Sequence, residues 1–375
     1  MRDVFIVADN ILSPIGHTTR ENFDQLKNGT SGIVVHQKKA IADKPFYASL
    51  CGPDCFTVAD HEQYSRFERL LINSISAVLK NCNIGPGDAK TGLIISSTKG
   101  NISLLESEIY NPELRKRIAL TTSAKLVAAH FGFVNRPVVV SNACVSGIMA
   151  ILTAKRLITS GQYENVVVAG ADVISKFILS GFQAFMAISA TPCKPFDKNR
   201  DGITLGEGAA AMVFSANQNS AKDIKVLGGA ISNDANHISA PSRTGEELAK
   251  AINKTFHQAQ LKPDKIDFVA AHGTATVYND EMEAKAITIA GLQSVPVNSL
   301  KGYFGHTLGA AGLIESIVAI QSLRENLVIP TLGFNEIGVS TPINVNTSML
   351  SGDFNNCLKT ASGFGGCNAA VAFGK

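Results

Sequence analysis

Five kinds of residue in this chain stand where chemistry can be done, and they fall in four short stretches. The first is Val138-Val-Val-Ser-Asn-Ala-Cys144-Val-Ser-Gly-Ile-Met-Ala. Its β-branched run reads as a buried strand, Ser141 and Asn142 as turn and cap residues, and the rest as an apolar helix. Cys144 then falls at or near the first turn of that helix, where unpaired N–H groups and the helix dipole favour a thiolate. A cysteine so placed can attack a carbonyl, or it can be simply a small buried apolar residue. This stretch by itself fits both. The second and third stretches are Ala271-His272-Gly-Thr-Ala-Thr276, followed by Asp280 and Glu283, and Asn298-Ser-Leu-Lys301-Gly-Tyr-Phe-Gly-His306, followed by Gly309, Gly312 and Glu315. The fourth is the turn Gly363-Phe364-Gly365-Gly366.

One histidine beside Cys144 would serve as a general base, as in cysteine hydrolases. Two histidines and a lysine suit another task. Two neutral imidazoles can donate N–H bonds to a thioester oxygen that becomes an enolate, with Lys301 and Glu315 fixing charge and orientation behind them. Each well-placed donor to a developing oxyanion contributes on the order of 3–4 kcal/mol. Of the eight histidines, His17, His36, His61, His130 and His257 read as ordinary structural residues, and His237 stays open. The Gly363–Gly366 turn either supplies positive φ or lets a backbone N–H approach a ligand. It is no phosphate loop, because no Gly-Lys-Ser/Thr follows.

These stretches need strands and helices to hold them. Val4–Ala8, 92–96, 138–140, 166–172, 224–231 and 266–271 read as strands, and 20–26, 64–79, 124–131, 246–258 and 309–323 as helices. Arg66 and Arg69 fall off the apolar stripe of the second helix and are expected to face outward. Residues 34–60 have no firm periodicity. Strand, polar turn and small-residue helix recur in the same order at 138–155 and 295–320. This predicts a duplicated α/β fold with halves 1–216 and 217–375.

The 375 residues are 45% hydrophobic and 17% charged, with 32 glycines, the composition of a large-cored enzyme with many tight turns. A net charge of +3, carried on dispersed basic residues, gives no case for nucleic acid. Seven cysteines without framework spacing, and the Cys51/Cys55 pair with no second pair, argue against a disulfide scaffold and a metal site. Acidic residues interrupt the first ten positions before a signal peptide could form, and no run spans a bilayer. A cytoplasmic, reducing location is expected.

Taken in order, these motifs resemble the elongating β-ketoacyl-acyl carrier protein synthases of the thiolase superfamily. The likeness runs from Ser13-Pro-Ile-Gly16 and Gly29-Thr-Ser-Gly32 through Asn142-Ala-Cys144, Lys194-Pro-Phe-Asp-Lys-Asn-Arg-Asp-Gly202 and Gly206-Glu-Gly208. It continues through the two histidine motifs to Gly363-Phe-Gly-Gly366 with Asn368. The resemblance implies a five-layer αβαβα fold, a homodimer or a heterodimer with a related subunit, no cofactor, and decarboxylative Claisen condensation between an acyl-enzyme and a malonyl-carrier protein. It implies Cys144 as nucleophile, His272 and His306 as enolate stabilisers, Lys301 and Glu315 behind them, and Phe364 as a gating aromatic. The N–H groups of Cys144 and Phe364 would form an oxyanion hole. Arg66, Arg69, Lys194 and Arg200 are candidate contacts to an acidic carrier protein.

Three departures stand out. Cys367 occupies a position usually held by threonine or a similar small residue, and is read as a small-residue replacement. The chain is shorter than the usual elongating enzyme. The loop between Ser189 and Lys194 is also short, which predicts an altered pocket mouth and is compatible with a specialised polyene or polyketide pathway. The other reading is a chain-length-factor-like partner subunit, which Cys144 argues against.

Overall fold

Valine and alanine runs build the centre of the molecule. The computed structural model describes residues 2–57, 63–236 and 239–375, so His61 and His237 lie outside the described residues. Ten strands form one sheet. In chain order they are β1 (Phe5–Leu12), β2 (Thr91–Ser96), β3 (Val138–Val140), β4 (Asn165–Asp172) and β5 (Gly208–Ser215). The second five are β6 (Ile224–Asn233), β7 (Phe268–Ala270), β8 (Val297–Asn298), β9 (Asn356–Gly363) and β10 (Cys367–Gly374). Their spatial order is β8-β7-β9-β10-β6-β1-β5-β4-β2-β3. Each group of five thus occupies one side, and the groups meet where Phe5 and Ile6 of β1 pair with Lys225 and Ile224 of β6. The strands away from the join run parallel, as in Ile94↔Val168 and Val269↔Leu358, and the strands toward the join run antiparallel.

Side-chain alternation sorts the residues into layers. In β4, Val166 and Val168 face the centre with Ile148, Ile151, Leu313 and Ile317. Their neighbours Val167 and Ala169 face out toward Phe67, Leu71, Ile75 and Val127. Those outer residues belong to α1 (Arg66–Lys80) and α2 (Leu120–Phe131). The central ones belong to α3 (Ser146–Thr159) and to a later helix, Ala311–Glu325. A further short helix, α4, covers Lys176–Ala184 near the site. On the far side, Val269, Leu358 and Ala370 meet Leu248, Ile252 and Ile287 of α5 (Glu246–Ala259) and α6 (Val277–Ile289). The helix Ala311–Glu325 is α7. The layers are therefore helices, sheet, the α3/α7 pair, sheet, helices. This is the thiolase-like five-layer arrangement expected, and each buried aliphatic side chain stabilises it by roughly 1.5–3 kcal/mol.

Local chemistry sets the element ends. Ser65 and Glu68 form a reciprocal capping box at the start of α1. In α7 nearly every residue is buried, so its Glu315 must find a charged partner within the core. At the start of the central helices, a Cβ on Gly147 would lie 2.7 Å from Leu313 N, and one on Gly312 would lie 2.8 Å from Ile148 N. The stretch 34–60 supplies Val34–His36 and Phe46–Ser49 to a small sheet completed by Leu205–Gly206. Periodicity does not reveal strands that short. Among the described residues, no helix is long and apolar enough to cross a membrane.

Candidate active site

Cys144 projects from the turn between β3 and α3. Ser146 Oγ accepts the Asn142 N–H at 2.8 Å and donates to Ala143 O at 2.6 Å, while Ala143 is held at a φ of 43°. That left-handed, strained residue lifts Cys144 off the strand two positions before the helix begins. The expected thiolate is not supported. Cys144 is enclosed, and burial pushes its thiol up to about 12, with the Lys301 ammonium opposing. Loss of hydration outweighs the dipole of a helix that starts further on.

His272 follows β7. Its N–H and that of Gly273 donate to Glu283 Oε1 and Oε2 at 2.8 and 2.7 Å, and Thr360 Oγ1 donates to the same carboxylate at 2.7 Å. Asp280 accepts from the N–H groups of Thr274, Ala275 and Phe196. The acidic residues that open α6 thus brace the turn carrying the histidine. Lys301 reaches behind it, with Nζ 3.4 Å from His272 Nδ1, 2.9 Å from His272 O and 2.5 Å from Glu315 Oε1. An ammonium only donates, so His272 Nδ1 is an acceptor and its proton sits on Nε2. His306 has the same tautomer, because the Leu308 N–H donates to its Nδ1 at 3.3 Å. Its Nε2 lies 3.0 Å from Cys144 Sγ.

The two imidazoles meet edge to face, with ring centroids 5.2 Å apart. One ligand atom from each of Cys144, His272 and His306 falls within 4.8 Å of the others. Burial, then Lys301, hold both histidines well below the ordinary imidazole range, so both are neutral at physiological pH. The arrangement presents a thiol and two neutral N–H donors to one point.

The Gly363–Gly366 turn closes the other wall. A Cβ on Gly363 would lie 3.0 Å from the Cys144 backbone nitrogen, so only glycine lets the turn come that near. Phe364 stacks against Phe182 and Phe185, with centroids 5.7 and 5.4 Å away, at the mouth of a cleft that Cys144, His272 and His306 also line.

The chain matches the family model described as beta-ketoacyl synthase, N-terminal domain, over residues 1–219, and the matching C-terminal domain over residues 224–335. It belongs to the β-ketoacyl synthase family. It is similar to 3-oxoacyl-[acyl-carrier-protein] synthase 2 of Vibrio cholerae serotype O1, with 29% identity over 99% of each chain. In structure it resembles the ishigamide ketosynthase/chain length factor, at a TM-score of 0.91 and 23% identity, covering 100% of this chain and 99% of that one. It also resembles a type II PKS acyl-carrier protein in complex with its ketosynthase bound to the hexaketide, at a TM-score of 0.86 and 21% identity, covering 100% and 99%. The synthase is thus an acyltransferase of the condensing type.

The basic residues of the synthase expected at a carrier surface are differently placed. Arg200 is buried, 8% exposed, bonded to the carbonyls of Asp197 and Gly338 and paired with Asp280, so it braces the His272 turn and is no docking residue. Arg66 faces outward, as expected, but its guanidinium lies 2.7 Å from buried Glu207 and over the Phe56 ring. Arg69 is half-buried, donates to Phe56 O at 2.6 Å and stacks on the same ring. Lys194 is half-buried, within electrostatic reach of Asp197. Cys367 donates to Asn142 Oδ1 at 2.8 Å, beside the turn that carries Cys144. One residue at the site escaped the sequence reading altogether. Lys359, in β9, is fully buried with Nζ 2.8 Å from Glu315 Oε2. A lysine inside the apolar run Cys357-Leu-Lys-Thr-Ala was the available signal.

Proposed function

We propose that the synthase extends a carrier-bound acyl chain through the Cys144, His272 and His306 site. Cys144 sulfur bonds to the acyl carbonyl carbon, the carrier's C–S bond breaks, and the cysteine proton leaves with the carrier thiol. The N–H groups of Cys144 and Phe364 stabilise the tetrahedral oxyanion. A malonyl-carrier thioester then loses carbon dioxide, and the electron pair of the broken C–C bond passes into an enolate. Its oxygen accepts the Nε2–H groups of His272 and His306. The enolate carbon attacks the acyl group on Cys144, a C–C bond forms, the Cys144 C–S bond breaks, and the departing thiolate takes up a proton from solvent.

The observation that carries this reading is the shared tautomer. In a cysteine hydrolase the ring nitrogen facing sulfur must be free to take its proton, while the other ring nitrogen donates its N–H to an orienting group. Here both Nδ1 atoms accept, from Lys301 and from the Leu308 N–H, so both Nε2 atoms donate. That is the need of an enolate. The presence of thiol and both imidazoles also favours this reading over a partner subunit that only shapes another synthase's pocket. Carrier recognition rests on Lys194 among the four basic residues first considered, with Arg66 and Arg69 tied inward. Among the described residues the edge strand β3 pairs only with β2 in the sheet and leaves Val138 and Val139 half-buried, which suits pairing with a second copy or a related subunit. Seven free cysteines fit a reducing, cytoplasmic setting.

The test is intact-protein mass spectrometry after incubation with a panel of acyl-loaded carrier proteins, beside Cys144→Ala. The expected result is a gain of one acyl mass in the wild type and none in the variant, followed by carbon–carbon bond formation when malonyl-carrier is added. Absence of any gain across the panel overturns the reading.

A further inference from the structure

A second buried ammonium lies behind the two imidazoles, and the reaction above gives it no step. Lys359 Nζ is 2.8 Å from Glu315 Oε2, the oxygen that Lys301 does not bond. Its N–H groups meet the carbonyls of Ala270, Ala271 and Thr360 at 3.1, 3.2 and 2.6 Å. Burial of an ammonium is unfavourable unless charge and hydrogen bonds replace its water. As a strand residue between Leu358 and Thr360, an uncharged side chain would serve the fold without that demand. Every partner of Lys359 also leads to the site. Ala270 and Ala271 directly precede His272, and Glu315 holds the lysine that donates to His272 Nδ1.

The geometry points to Lys359 as a positioning residue for decarboxylation, acting on His272 through the strand end before it and through Glu315 and Lys301 behind it. This assignment rests on the condensing reaction proposed above. The charged and titratable groups around the imidazoles are Lys301, Lys359 and Glu315 behind them, Glu283 under the His272 turn, Asp172 beyond the His306 turn, and Cys144 in front. After burial and Lys301, the charge on Lys359 also helps to hold both imidazoles neutral. Its removal eases their protonation, so the acid limb of the decarboxylation rate moves to higher pH.

The experiment compares wild type, Lys359→Met and Lys359→Ser in three measurements. These are acylation of Cys144 by mass, malonyl-carrier decarboxylation from pH 5 to 9, and thermal melting. Both variants should melt cooperatively and acylate within about threefold of wild type, yet decarboxylate on the order of tenfold more slowly at pH 7, with the acid limb shifted upward. A wild-type rate and limb in the variants overturn the assignment. Parallel loss of acylation and decarboxylation, or loss of a cooperative melt in both variants, makes Lys359 a structural support only and also overturns it. A wild type that neither acylates nor decarboxylates fails the condensing reading itself, an outcome distinct from the others.

Discussion

Glu315→Gln removes the single carboxylate shared by two buried ammoniums while keeping the side chain's shape. In the native protein Glu315 is 4% exposed, with Oε1 2.5 Å from Lys301 and Oε2 2.8 Å from Lys359. The amide can still accept one N–H but cancels no charge. Removing one partner of a buried ion pair costs about 3–5 kcal/mol, because the charge left behind stays out of water. Unfolding entropy of about 2.1 cal/mol/K per residue gives roughly 0.8 kcal/mol/K for a chain of this length, so the melting temperature should fall by about 4–6 °C at pH 7. The deficit must depend on pH in a fixed direction. Without Glu315 a lysine's folded pKa lies further below its unfolded value, so the unfolded chain binds more protons in the window between them. Stability then rises with pH there, and the gap to wild type narrows from pH 7 toward pH 10. Calorimetry or urea unfolding at three pH values measures this. A variant within about 1 kcal/mol of wild type at pH 7, or a gap that widens with pH, refutes the reasoning.

Gly363→Val places a branched carbon where a Cβ already comes within 3.0 Å of Cys144 N, and the turn must retreat. On the proposed mechanism this displaces one oxyanion donor, so acylation by acyl-carrier should slow by about 10²–10³-fold, while alkylation of the thiol by iodoacetamide persists. Because burial and Lys301 hold both histidines low, malonyl decarboxylation should stay flat from pH 8 down through the ordinary histidine range and fall only below it. A pH–rate profile with an inflection at or above that range contradicts this. Arg200→Met should lower the melting temperature and leave carrier affinity alone. Lys194→Glu should do the reverse, weakening carrier capture most at low salt, as titration at two ionic strengths would record.

The chemistry-bearing residues were legible because each interrupts a pattern at a strand end. A polar turn after Val138–Val140, a histidine closing an apolar strand, and a histidine flanked by glycine and threonine are visible without a structure. Alternating strands and helices made α/β layering legible, while the five-layer arrangement came from the family resemblance. What stayed hidden depends on partners far apart in sequence. Arg200 reads as one charge in a charged loop, and its burial follows from Asp280 and Gly338, which only the fold brings to it. Lys359 lies 44 positions beyond Glu315 in an otherwise apolar strand, and nothing local says that a carboxylate waits there. The burial that pushes the Cys144 thiol up was hidden for a similar reason. Helix position is a local property, whereas burial among residues from distant elements is not.

The glycine contact between α3 and α7 has a consequence for how far such a chain can drift. Cys144 precedes one helix and His306 precedes the other, and the two helices touch main chain to main chain at Gly147 and Gly312. Their separation is therefore gauged by peptide atoms, which never mutate, and not by the volumes of side chains, which do. Residues elsewhere in the core can be exchanged over long lineages without altering the gap across which sulfur and imidazole must meet.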